Sequence, residues 1–154
     1  MQIAATPSVC ALPDLAIEAV GLDRFAEVEA INEAIFGERR VIYRLDRDDL
    51  TILLARSGGD VVGFKVGYGE SAGVFYSAKG GVLPEARRAG VARALLYRLQ
   101  DEARALGYRR FAFDTFPNKH PGMTVLALAE GFRVTAAGYN AAYRDYRLRF
   151  EKPL

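Results

Sequence analysis

Val82-Leu83-Pro84-Glu85-Ala86-Arg87-Arg88-Ala89-Gly90-Val91-Ala92-Arg93 is the stretch on which the reading of this chain turns. It follows a run that reads as a strand, Val74–Ala78, and the pair Gly80-Gly81. It opens the strongest helical pattern in the sequence. There Val91, Ala92, Leu95, Leu96, Leu99, Ala103 and Leu106 draw one apolar stripe, Arg93, Arg98, Asp101, Glu102 and Arg104 lie largely off it, and Gly107 ends it. The first amides of a helix have no partner within it and carry the positive end of its dipole. Ala89, Gly90 and Ala92 are small enough for a bulky anion to reach those amides, and Arg87, Arg88 and Arg93 add charge beside them. In physical terms this is a pyrophosphate cradle.

Working outward, Leu15–Gly21 reads as a first strand and Asp23–Phe36 as a helix, with Phe25, Val28, Ile31 and Ile35 at spacings of three and four and Gly37 at its end. Residues 38–48 are charged and ambiguous. Leu50–Arg56 and Val61–Tyr68 read as strands around Ser57-Gly58-Gly59-Asp60, a hairpin signal. Beyond the long helix, Arg110–Phe116 alternates as a strand, and Pro121 opens a shorter helix that Gly131 closes. Phe132–Ala137 and Tyr143–Phe150 are two more strands, turned by Gly138 to Ala141. On the last, Tyr146, Leu148 and Phe150 share one face, and Tyr143, Asp145, Arg147 and Arg149 the other. This order predicts an α/β (α+β) fold: one mixed, mostly antiparallel sheet of about six or seven strands with helices on both faces. No repeat or linker interrupts it, so residues 1–154 are expected to form one domain.

Composition narrows the function. With 51% hydrophobic and 26% charged residues the chain is not disordered. Its one cysteine, Cys10, allows no disulfide framework, and one cysteine with one histidine, His120, makes no Cys- or His-rich metal site. No metal is expected. The N-terminus lacks the basic start of a signal peptide, and no apolar run approaches a membrane span, so a cytoplasmic location away from membranes is expected. Net charge is +2, unevenly spread: residues 1–77 hold 7 basic and 12 acidic side chains, net −5, and residues 78–154 hold 14 and 7, net +7. The second half is therefore the one to meet an anion. Nucleic acid is not the expected partner, because the basic residues converge on a helix start without an aromatic-rich basic stripe.

Two patterns in one glycine-rich turn are decoys. Gly69-Glu70-Ser71-Ala72-Gly73 matches the nucleophile elbow of serine hydrolases, with Asp114 and His120 following in the right order, but a strand rather than a helix is expected after Ser71. Gly67 to Ala72 also fits a loose dinucleotide fingerprint and lacks its helix for the same reason.

Arg87-x-x-Gly90-x-Ala92 after Val82-x-Pro84 resembles the coenzyme A signature of the GCN5-related N-acetyltransferases. The resemblance continues through Ala94-Leu95-Leu96, Gly107-Tyr108, Asn118 and Gly131-Phe132, and covers about residues 60–137 well. It implies an acetyl-CoA-dependent transfer of acetyl to a primary amine of a small molecule or peptide. It also implies that the strand ending at Val82 splays from Arg110–Phe116, and that the pantetheine arm lies in the gap against backbone near Val82 and Leu83. The pyrophosphate would rest on the amides of Arg88, Ala89, Gly90, Val91, Ala92 and Arg93, beside Arg87. Asn118 matches a residue that contacts the cofactor arm.

The departures matter. The tyrosine often found four residues before the Gly-Phe pair, proposed to protonate the leaving thiolate, is Ala127 here. Asn118 lies two residues further from that pair than usual, which puts His120 at the usual place, so either could take the role. Tyr76, Tyr139 and Tyr143 are candidate acids; Glu70, Ser77 and Asp114 are candidate bases for an ammonium that must lose a proton before attack. Glu70 and Tyr143 are preferred. A non-catalytic acyl-CoA-binding domain is the alternative that Ala127 motivates. Residues 22–49 and Gly138–Ala142 would shape the acceptor pocket, where Asp46, Asp48 and Asp49 could attract a cationic amine. Tyrosines and arginines on the last strand permit a homodimer without requiring one.

Overall fold

The computed structural model describes Leu12 and residues 14–154; Cys10 and the N-terminal stretch read for a signal peptide lie outside the described residues. Among the described residues seven strands form one sheet: β1 (Ala16–Val20), β2 (Thr51–Ser57), β3 (Asp60–Ser71), β4 (Val74–Val82), β5 (Arg110–Thr115), β6 (Arg133–Asn140) and β7 (Asp145–Pro153). Their spatial order is β1-β2-β3-β4-β5-β7-β6. Only β4 and β5 are parallel; every other neighbouring pair is antiparallel.

Alternation along the central strands builds two cores. Ile52, Leu54, Phe64 and Val66 face helix α1 (Phe25–Phe36) with Val28 and Ile31. Leu53, Ala55, Phe75, Phe111 and Phe113 face α2 (Val91–Ala105) and α3 (Pro121–Ala129), meeting Leu95, Leu96, Leu99 and Ala127. Buried on both faces, β2 reads as the unbroken apolar run Ile52-Leu53-Leu54-Ala55 instead of alternating with polar residues. The α/β architecture with helices on both faces is as the sequence predicts.

Two local expectations change, and one open segment is settled. The first helix is preceded by a separate 3-10 turn, Leu22–Arg24. The last hairpin turns later than expected: β6 runs to Asn140, Gly138 pairs with Arg147 inside the ladder, and the turn is residues 141–144. Asn140 fixes it, its side-chain oxygen accepting the Tyr143 N–H at 3.1 Å, while Arg144 takes a left-handed φ of 51°. Residues 38–48 form no helix or strand; the buried Asn32 amide donates to the Glu38 and Arg40 carbonyls and moors the segment to α1.

The feature that positions the site is the parting of β4 from β5. They pair only at Val74↔Arg110, Phe75↔Phe111 and Tyr76↔Ala112. Past that point β4 stays with β3 to Gly63↔Val82, and β5 stays with β7. A register shift between Val66 and Gly67 leaves Ala78 without a partner on β3, a bulge at the place where the strands part.

Candidate functional site

The gap between β4 and β5 ends on the start of α2. Gly90 is the N-cap of α2 with φ 80°, and no side chain caps the helix. Ala94 donates to the Gly90 carbonyl at 3.0 Å, so the amides of Val91, Ala92 and Arg93 precede the first intrahelical bond. Gly90, Ala92 and Arg93 are exposed while Val91 anchors the turn inside. A β-carbon at Gly90 would touch nothing, so the left-handed backbone is what demands glycine there. Arg88 shares that conformation at φ 62°, at a cost of about 1 kcal/mol.

The arginines divide their work. Arg87 folds back, its Nε donating to the Val82 carbonyl at 3.2 Å, and so straps the loop to β4. The Arg93 guanidinium pairs with Glu130 at 2.8 Å, beyond the C-terminus of α3, leaving its amide to the cradle. Of Val82 and Leu83, only the first faces the gap. The Leu83 N–H donates to Val62 and its carbonyl accepts from Ala86. Successive strand residues send their backbone groups to opposite edges, so the Val82 N–H and C=O point away from β3, toward the parted β5.

Asn118 donates its amide to Asp145 at 3.0 Å, tying the segment after β5 to the start of β7. His120, the residue before α3, meets Phe36 edge-on with ring centroids 6.4 Å apart, and Phe36 also closes on Gly81 of β4. The two rings thus link the β4 side of the gap to the start of α3.

At the apex of the gap, on the α1 face, lies a polar cluster. The Tyr76 hydroxyl donates to Asp114 at 2.7 Å, and burial together with that carboxylate raises the phenol well above its ordinary range. Arg149, beside Asp114 on β7, grips Glu70 with two bonds of 3.1 and 2.6 Å. Glu70 is thus an ion-paired carboxylate at the end of β3. Tyr143 is half exposed in the last turn, its ring 5.0 Å from that of Phe116 and its carbonyl accepting from Lys119. Tyr139 packs on Tyr146. Ala127 is fully buried in the α2-side core. A cavity of about 190 Å3 adjoins the cluster, lined by Asp114, Ala136, Gly138, Asn140, Arg147 and Arg149.

Asp46 pairs with Arg44, and Asp48 and Asp49 line a cavity of about 380 Å3 beside Leu106 and Gly107, at the opposite end of α2 from the cradle. Ser71 lies in the hairpin between β3 and β4 with no helix after it, while Asp114 bonds Tyr76 and His120 meets Phe36; the hydrolase pattern is not assembled. Among the described residues no group of three or more His, Cys, Asp or Glu side chains could hold a metal, and no helix is long and apolar enough to cross a membrane.

Sequence reasoning missed Arg149 as the partner of Glu70, 79 positions away, for which no local signal exists. It also missed Lys65, whose signal was present: one charge inside the apolar run Val61 to Val66 of a central strand.

Known proteins share this fold. The profile of the Acetyltransferase (GNAT) family matches residues 17–128. No curated protein matches the sequence at a significant level. Among solved structures, an IAA acetyltransferase from Bacillus cereus ATCC 14579 superposes with a TM-score of 0.79 at 17% identity, covering 92% of this chain and 100% of that one. The ribosomal-protein-S18-alanine N-acetyltransferase from Escherichia coli gives 0.73 at 14% identity, over 90% and 93% of the two chains. A GNAT family acetyltransferase from Elizabethkingia anophelis with acetyl-CoA bound gives 0.68 at 15% identity, over 92% and 99%. At such identities the structures share the fold, and it is the profile match over most of its length that decides kinship: the chain belongs to the acetyltransferase (GNAT) family.

Proposed function

We propose that this protein is an acetyl-CoA-dependent N-acetyltransferase that passes acetyl directly to a primary amine of a small molecule or peptide. The observation that carries the reading is the parted β4–β5 pair leading to an uncapped helix start. The first-turn amides of α2 suit a pyrophosphate, and the gap offers a strand edge to an extended pantetheine arm. The acetyl-CoA bound to the Elizabethkingia anophelis acetyltransferase of the same fold supports the choice of cofactor. Acetyl-CoA supplies an acetyl group activated as a thioester.

The chain's own residues supply the rest. Arg88 and the amides from Ala89 to Arg93 hold the diphosphate. The Val82 N–H donates to the thioester oxygen as it gains charge. The acceptor enters from the α1 face, where the cavity beside Asp114 and Arg147 opens. Glu70, steered by Arg149, takes the ammonium proton, and Tyr143 gives one to the leaving sulfur.

Calorimetric titration of CoA tests the cradle. The parent is expected to release heat, and Gly90→Glu to lose binding more than about tenfold, because an acidic side chain on a strained left-handed residue faces the diphosphate. Unchanged affinity in that variant would overturn the assignment. A screen of amines with acetyl-CoA, reading free thiol, then tests transfer. Ala127, buried and without a proton to give, favours a second reading: an acyl-CoA-binding domain without turnover. CoA binding with no thiol release across the screen is its expected outcome.

A further inference from the structure

The sequence contains four lysines, and three have partners. Lys79 pairs with Glu38 at 2.6 Å, Lys119 donates to the Tyr143 carbonyl at 3.1 Å, and Lys152 donates to the Glu130 carbonyl at 2.6 Å. Lys65 is different. It sits in the middle of β3, 8% exposed, with no hydrogen bond or ion pair to any described residue. Burial alone, with no opposing charge from the strands and helix around it, pushes its ammonium down to about 8.

Its position gives this amine a target. Lys65 is paired across the ladder with Gly80 of β4 and shares the α2 face of the sheet with Leu53. Its Cγ and Nζ lie 3.2 and 3.4 Å from where a Gly80 β-carbon would stand, so the side chain leaves β3 and lies across Gly80. A β-carbon at Gly80 would crowd it and the Phe64 carbonyl at 3.1 to 3.4 Å. Gly80, like Val82, sends its backbone groups away from β3, and β5 has already parted from β4 two residues after Val74. The amine therefore lies over Gly80, whose backbone edge turns toward the gap, on the same face as the helix whose N-terminus closes it.

We propose that Lys65 is an internal acyl acceptor: its neutral Nζ attacks the thioester carbonyl of acetyl-CoA held in the gap. An N–C bond forms, the C–S bond breaks, and the proton shed by the amine goes to the departing sulfur, leaving N6-acetyl-lysine at position 65 and free CoA thiol. The inference rests on the acetyl-CoA reading above. Lys65 is favoured over the other lysines because it lies over Gly80 beside the gap, roughly a tenth of it is neutral at pH 7, against well under a thousandth of an ordinary lysine, and no described residue holds it back.

The test is incubation of the full chain with acetyl-CoA, followed by proteolysis and peptide mass spectrometry. One acetyl group is expected on the Lys65 peptide, arriving more than about tenfold faster than on Lys79, Lys119 or Lys152, and suppressed by excess CoA. Lys65→Met, shown by its thermal melt to be folded, is expected to lose the fast acetyl group. Fast labelling that persists in that variant, or a Lys65 that labels no faster than the other lysines, overturns the inference. Calorimetry separates the two readings. Heat on adding CoA with no acetyl on Lys65 defeats this inference alone; no heat defeats the acetyl-CoA reading and this one with it.

Discussion

Lys65 also has a measurable thermodynamic consequence. A lysine with its pKa lowered from 10.5 to about 8 by burial is charged in both the folded and unfolded chain below pH 8, where the cost of burying the charge is felt in full. Between pH 8 and 10.5 only the unfolded chain keeps the proton, so stability rises with pH across that window, by on the order of 3 kcal/mol. Lys65→Met removes the charge at nearly constant volume. Urea unfolding is expected to show the variant more stable than the parent at pH 7, with the advantage shrinking as pH approaches 10. A difference that stays constant over that range would mean burial does not set the ionisation of this group. The same residue marks the limit of the sequence at this scale. A charge in an apolar strand was visible, but that it lies across Gly80 follows only from the β3–β4 register. Register likewise decides that Val82 and not Leu83 turns to the gap, and one residue of slip would exchange them.

At the scale of elements, α2 joins the cradle to the core, and its apolar stripe carries that load. Leu99 is fully buried, and a β-carbon on Gly67 of β3 would stand 3.1 Å from it. Leu99→Ala is expected to cost about 3 kcal/mol in urea unfolding through lost transfer energy and the cavity left behind. A cost under about 1 kcal/mol would mean the helix rides loosely on the sheet. Elements with a strong period were readable: the stripe of α2, the paired runs of β2 and β3, and the alternation of β5 each match the structure to within a residue or two at most ends. β3 and β4 outrun their reading because glycines interrupt the apolar signal while the ladder continues through them. The last hairpin was misread for the same reason. Gly138 looked like a turn, yet it stays in the ladder because Tyr139 and Tyr146 pack at 5.4 Å just beyond it. The glycine-led start of α2 was legible because its residues are contiguous, and the Glu70–Arg149 and Tyr76–Asp114 pairs were not, because they join distant strands.

For the whole molecule, the acidic first half of the sequence spends part of its charge on holding one end of the sheet together. Glu18 of β1 accepts from Arg24 at 3.0 Å and from Arg56 of β2 at 2.5 Å; Glu27 of α1 accepts from the same two guanidiniums at 2.7 and 2.6 Å. Four groups thus cross-link strand, helix and strand. Hydrogen bonds from Arg24 and Arg56 lower Glu27 from 4.5 to about 2 and lower Glu18 as well. A carboxyl group held below its unfolded value contributes stability that is present above about pH 4.5 and is lost as pH falls through the folded value near 2. The parent is therefore expected to lose thermal stability progressively from pH 5 to 2. Glu27→Gln is expected to melt lower than the parent at pH 7 and to lose less on acidification, so that the two curves converge at the acid end. All four groups are reached by solvent, so added salt narrows the difference at pH 7. Melting curves that stay parallel from pH 7 to 2 would show that this network does not govern the acid limit, and that the carboxylates around the gap, with Glu70 on Arg149 foremost, are the ones to examine next.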